Sequence, residues 1–315
     1  MHLFRRNQPS THWADMNESG ASWGIWLLFQ IHRWFGRLPF RLALYPVMLY
    51  FFLVKTQARR ASLEYLQHIQ RMQPAFKANR WVSFKHFITF GEALLDKILA
   101  HAGRYTLKNV HISGREAVQA CIDRGSGFVI FTAHIGNLEV SRSIAQLRNI
   151  PLNILVHTQH AERFNRILKT INPNSQVNLI QVTQLDSALA IILANKVQAG
   201  EAVVIAGDRI PVGQDIAKRV VSAQFLGQAA PFPAGPYILA HLLQVPVFFV
   251  TCTQQHKNYL LQYQTFAERI DLPRANRDAA LHAYAQQFAD LLTEQCQKTP
   301  LQWFNFYPFW QVPKS

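Results

Sequence analysis

The sequence predicts an α/β protein, with a largely parallel central sheet flanked by helices and preceded by an N-terminal helical region. Three observations predict it. From about residue 125 onward, apolar runs of strand length alternate with helical segments. Ahead of them, residues 60–72 and 80–101 read as two amphipathic helices. The chain also has 315 residues, 49% of them apolar, which is ample material for a large core.

The elements follow in order. The first 21 residues are polar and lack the apolar centre of a secretory signal. Residues 22–54 are strongly apolar and aromatic, but Arg33, Arg37 and Arg41 interrupt them. The charge-free stretch after Arg41 is thirteen residues long and contains Pro46, whereas a spanning helix needs roughly 20 apolar residues. Basic residues stand on both sides, so charge asymmetry defines no crossing. The expectation for residues 22–54 is an interfacial or shallowly embedded helical hairpin, with a buried helix pair and a tilted span as alternatives. In residues 80–101, Trp81, Phe84, Phe87, Ile88, Gly91, Leu95 and Ile98 recur at helical spacing.

Strands are expected at GFVIF (127–131), LNILV (152–156), VNLIQV (177–182), AVVIAG (202–207) and VPVFFVT (245–251). Helices are expected between or beside them at 137–148, 161–170, 184–199 and 233–243. The more polar NYLLQYQTF (258–266) reads as an antiparallel edge strand, and residues 276–298 as a late helix. The division is a polar tail (1–21), a helical region (22–60) and an α/β domain (61–315).

Composition excludes several classes. Only 16% of residues are charged, yet the net charge is +14. A nucleic-acid binder would carry a dense basic stripe, and no run here exceeds two adjacent basic residues. An apolar, sparsely charged, basic chain fits a membrane surface better. The three cysteines, Cys121, Cys252 and Cys296, are far apart and form no zinc spacing, so neither a disulfide framework nor a metal site is expected. GSGFVI (125–130) is no dinucleotide loop, because it precedes a strand and lacks the third glycine.

FTAHIGNLE (131–139) is the informative stretch. On one continuous helix, positions five apart diverge by about 140°. His134 and Glu139 meet only across a turn, which Gly136 is suited to make. Such a turn puts His134 at the sheet's carboxyl edge, where open α/β sheets bind ligands. Glu139 then lies in the first helical turn, where a carboxylate is favoured. The expectation is a His134–Glu139 general-base dyad. The bland alternative is a capping histidine and a surface glutamate. AGDRIP (206–211) places Asp208 and Arg209 at the same edge after another buried strand.

Together with FLGQAAPFPAGPYILAHLLQVPVFFV (225–250) and PLQWFNFYPFW (300–310), these motifs resemble the glycerolipid acyltransferase superfamily, and more closely its late (secondary) acyltransferases of lipid A biosynthesis. TAHIGNLE matches that branch's histidine motif at His134, Gly136, Asn137 and Glu139. The glycerolipid enzymes have a glutamate in the proline-glycine motif where this chain has Ala234. That difference and the interrupting arginines point to a divergent sub-branch.

The resemblance implies an acyltransferase domain over 61–315 and a membrane-associating region over 22–60. Its acyl donor would be an acyl carrier protein or coenzyme A thioester, and its acceptor a lipid or lipid-linked hydroxyl or amine. It implies no metal or bound cofactor, and a place on the cytoplasmic face of a bacterial inner membrane, peripheral or single-pass. His134 and Glu139 would be catalytic. Asn137, Asp208 and Arg209 would bind substrate, and Arg163, Asn165 and Arg166 would meet a headgroup or carrier. Two other readings stay open: a catalytically silent lipid-binding or complex-organising protein, and a hydrolase using the same dyad.

Overall fold

The computed structural model describes residue 34 and residues 36–101, 103–147, 150–156, 177–182, 187–210 and 220–311. The expected helix at 161–170 and residues 22–33 lie outside the described residues. Three helices come first: α1 (Arg37–Val54), α2 (Thr56–Met72) and α3 (Arg80–His101). The α/β part then runs β1 (Val110–Ser113), α4 (Glu116–Asp123), β2 (Phe128–Thr132), α5 (Leu138–Leu147), β3 (Leu152–Val156), β4 (Val177–Gln181), α6 (Ser187–Gln198) and β5 (Ala202–Ala206). It continues with a hairpin, β6 (Val220–Phe225) and β7 (Gln228–Pro233). After it come α7 (Gly235–Leu243), β8 (Val247–Gln255), β9 (Asn258–Ala267) and α8 (Arg277–Lys298).

The main sheet has seven strands in the order β1-β9-β8-β2-β5-β3-β4. β8, β2, β5, β3 and β4 are mutually parallel. β9 runs antiparallel to β8, as expected, but it is not the edge, because β1 pairs beyond it. With four residues and little apolar patterning, β1 gave no signal of its own. Strand β2 is buried on both faces, as a parallel strand covered by helices on each side must be. Its alternation sorts side chains into two cores. Val129 and Phe131 face a core shared with α2, α6, α7 and α8. Phe128 and Ile130 face one shared with α4 and α5.

The β6–β7 hairpin turns through Leu226 and Gly227, both at positive φ. A two-residue turn of this kind matches the strand twist. Pro231 and Pro233 pair with Ser222 and Val220. Counted from the turn, these are positions that exchange no ladder bonds, so the missing N–H groups cost nothing there.

Helix α1 packs on α3 through Phe40, Leu44, Met48 and Phe52, spaced four apart, against Phe84, Phe87, Ile88 and Leu95. Gly91 permits the approach, since a Cβ there would lie 2.8 Å from Leu44 Cδ1. The rest of α1 stays apolar but uncovered: Leu38 is 71% and Leu42 68% exposed, and Leu49, Tyr50, Leu53 and Val54 are exposed too. α1 runs unbroken through Pro46, and the chain bends by 95° where α2 begins. Among the described residues no single helix is long and apolar enough to cross a membrane. The expected boundary at residue 60 falls inside α2, whose Tyr65, Leu66 and Ile69 belong to the α/β core.

Candidate active site

Strands β2 and β5 are neighbours in register, with Thr132 opposite Ala206. His134 and Asp208 each lie two residues beyond that pair, so they emerge side by side at the carboxyl edge. The His134 Nδ1 is 2.8 Å from Asp208 Oδ1, and the His134 backbone N–H donates to Oδ2 at 2.9 Å. The buried Trp303 indole donates to the same Oδ2 at 2.9 Å. Asp208 is 0% exposed, whereas the His134 side chain is 43% exposed.

Burial alone would push the Asp208 carboxyl up. The charges of His134 and Arg209, and the hydrogen bonds from His134, outweigh burial and hold it well below the usual carboxylate range. An ionised Asp208 can only accept hydrogen bonds, so Nδ1 carries the imidazole proton. Nε2, left as the basic nitrogen, has no hydrogen-bond partner among the described residues.

The turn after β2 is built as expected. Gly136 has φ 67°, and a Cβ there would fall 2.0 Å from the Cys252 carbonyl oxygen, so only glycine fits. Its N–H donates to Gln302 O at 2.8 Å, and the Asn137 N–H donates to Cys252 O at 2.7 Å. Asn137 is buried: its Oδ1 accepts from the Glu139 N–H at 3.2 Å and its Nδ2 donates to Ala93 O at 3.0 Å. The amide thus caps α5 and ties it to α3.

The carboxylate at the imidazole is therefore Asp208, where the sequence spacing suggested Glu139. The physical reason is the turn itself. Glu139, in the first turn of α5, pairs with Arg142 one turn on (2.6 Å) and with Lys97 of α3 (3.3 Å). Arg209 turns into the closing segment: it donates to Asn305 Oδ1 and Phe304 O, both at 3.1 Å, and lies 4.8 Å over the Tyr307 ring. Arg163, Asn165 and Arg166 lie outside the described residues.

The closing segment is the part sequence reasoning left least defined. The Phe304 N–H donates to His134 O at 2.9 Å. Tyr307 donates to the Asp208 carbonyl at 3.3 Å. Phe304 and Phe306 pack edge-on against Phe90, which makes a partly exposed aromatic wall next to His134. Among the described residues no group of three or more His, Cys, Asp or Glu side chains is placed to hold a metal ion.

The site is thus an exposed imidazole held by a buried carboxylate at the carboxyl edge of a parallel sheet, the place where open α/β sheets bind ligands. The family model for bacterial lipid A biosynthesis acyltransferases matches residues 78–312, which include every element of this site, and the chain belongs to that family. The family carries out acyl transfer to a lipid acceptor. No individually curated protein matches the chain.

Proposed function

We propose that the protein moves a fatty acyl chain from an acyl carrier protein or coenzyme A thioester to a hydroxyl or amine of a lipid or lipid-linked acceptor. The reaction takes place at the cytoplasmic face of a bacterial inner membrane. The observation that carries this reading is the His134–Asp208 pair, which leaves Nε2 basic and open while Nδ1 is held. Nε2 takes the acceptor's proton as its oxygen or nitrogen attacks the thioester carbonyl. The tetrahedral intermediate collapses with loss of the thiolate, which recovers the proton from the imidazolium. General-base catalysis of this type contributes typically on the order of 10²–10⁴-fold. Glu139, held by Arg142 and Lys97, ties the start of α5 to α3. The aromatic wall of Phe90, Phe304 and Phe306 offers an apolar surface for the acyl chain.

The uncovered face of α1 supports a membrane-surface location. Monomeric soluble proteins rarely leave so many large apolar side chains together in water. Arg41, Lys55, Arg59 and Arg60 lie along or just beyond the same helix, and each basic residue near an anionic surface contributes about 1 kcal/mol. Carrier proteins of fatty acid synthesis are acidic, and the +14 chain would steer one by charge.

The test is transfer by the full-length protein in anionic vesicles, with acyl carrier protein or coenzyme A thioesters and a lipid acceptor, followed by mass spectrometry. Acylated acceptor in excess of free fatty acid is expected, with the carrier thioester preferred and its kcat/KM falling steeply with salt. Free fatty acid alone, with or without acceptor, would make the protein a hydrolase. No turnover of either thioester would make it a binding protein.

A further inference from the structure

We propose that Trp303 is a positioning residue for the base, acting through Asp208: its indole N–H fixes the carboxylate that in turn fixes the His134 imidazole. The inference rests on the reading of His134 as the base.

The geometry shows why the donor matters. Asp208 is fully buried and uses Oδ1 for the imidazole. Its Oδ2 receives two N–H donors, the His134 backbone at 2.9 Å and Trp303 at 2.9 Å. The backbone donor shares a residue with the imidazole and moves with it. The indole comes from a different part of the chain and gives the carboxylate an independent anchor. Trp303 is itself immobilised. Its ring packs edge-on to Tyr65 (4.9 Å), Phe225 (5.1 Å) and Phe309 (5.1 Å), and Ile135, next to His134, bridges to it in antiparallel fashion. Gln302 beside it exchanges two bonds with the Gln254 backbone, at 2.7 and 2.8 Å. Core packing alone would be served equally well by an aromatic ring without an N–H. Here the polar edge of a buried indole meets an ionised oxygen, a charge-assisted bond of the stronger kind.

The electrostatic consequence has a definite sign. Each donor on Oδ2 draws charge from the carboxylate and so weakens its hold on a protonated His134. Removing the indole donor leaves Asp208 more strongly negative toward the imidazole, which then titrates at higher pH. Other charged or titratable groups face this pair. Arg209 follows Asp208 in the chain, Tyr307 donates to its carbonyl, and the buried Cys296 thiol of α8 feels its charge. On α5 and α3, Glu139, Arg142 and Lys97 pair with one another. None of these changes in the variants below.

The experiment uses the full-length chain with Trp303→Phe, and with 3-benzothienylalanine placed at position 303 as an indole-shaped residue lacking the N–H. The His134 imidazole is titrated by NMR without substrate, with His134→Ala to assign its signals, and kcat and KM are measured in parallel. Both variants should shift the imidazole midpoint upward by about 0.5 unit or more, a fraction of what one charge-assisted hydrogen bond is worth. kcat should fall about tenfold at unchanged KM. An unchanged midpoint in a folded variant, even one with lower thermal stability, makes Trp303 a packing residue and overturns the proposal. A benzothienyl variant that does not fold overturns it too, because the N–H would then serve the core. The titration needs no turnover. If His134→Ala retained full activity, the base assignment would fail while the Trp303–Asp208–His134 coupling was still decided by the midpoints.

Discussion

Two carboxylates stand near His134, and their surroundings differ in kind. Asp208 is 74 residues away in sequence, fully buried, and receives N–H groups from the imidazole, the His134 backbone and Trp303. Glu139 is five residues away, partly exposed, and spends its charge on Arg142 and Lys97. The carboxylate farther away in sequence is the one bonded to the imidazole. In a parallel sheet, residues at matched heights on neighbouring strands share a site, whereas a turn and a helix carry a sequence neighbour away.

Variants can break this comparison at its common point or on either side. The largest effect is expected from His134→Ala, which should lower kcat/KM by roughly 10²–10⁴-fold. Circular dichroism should be unchanged, since the side chain is 43% exposed and belongs to neither core. Near-normal transfer by a well-folded variant would end the mechanism.

Asp208→Asn comes next. The amide keeps the shape but presents N–H where a carboxylate accepted three donors, so the imidazole loses its fixed tautomer. A kcat loss on the order of 10²-fold at similar KM is expected from steady-state kinetics.

Glu139→Gln should cost less than tenfold in kcat. It should, however, lower stability by about 1–3 kcal/mol in urea unfolding, because the ion pair between Glu139 and the buried Arg142 is lost. If Glu139→Gln proved more damaging to kcat than Asp208→Asn, the comparison would invert and sequence proximity would be the better guide.

The smallest effect sharpens the comparison from the other side of the closing segment. His86 is buried, with Nε2 3.0 Å from Trp303 O and Nδ1 3.0 Å from Ser62 Oγ. Burial pulls its titration down from 6.5 to about 4. Between those values the unfolded chain takes up a proton that the folded one refuses. The stability contribution is therefore complete above pH 6.5 and declines as pH falls toward 4. Asp208, whose carboxyl is depressed, contributes stability that is lost only at still lower pH. His86→Gln should flatten the slope of the urea midpoint between pH 6.5 and 4 relative to wild type. An equal slope in both proteins would assign it to other groups.

Much of the fold was legible because local pattern carried it. The five apolar runs became β2, β3, β4, β5 and β8, and the late helix became α8. β1, α4 and the β6–β7 hairpin were not legible. β1 is four residues long, α4 is eight, and β7 carries two prolines that argue against a strand unless its partner and register are known. At the site, the places of His134, Gly136 and Asp208 just past strand ends were legible. Their pairing was not.

By itself the sequence determined the α/β class, the turn that only Gly136 can make, the basic and apolar character of the N-terminal region, and the imidazole at the sheet's edge. These follow from periodicity, from backbone sterics and from charge, all of which act over a few residues. Only the tertiary structure decided which carboxylate bonds to the imidazole and that the Trp303 indole donates to that carboxylate. It also decided that Arg209 serves the closing segment and that α1 leaves one apolar face uncovered. Each of these depends on which strands lie side by side and which helix covers which face. That arrangement is set by burying the whole chain's apolar surface at once, and no short window of residues contains it.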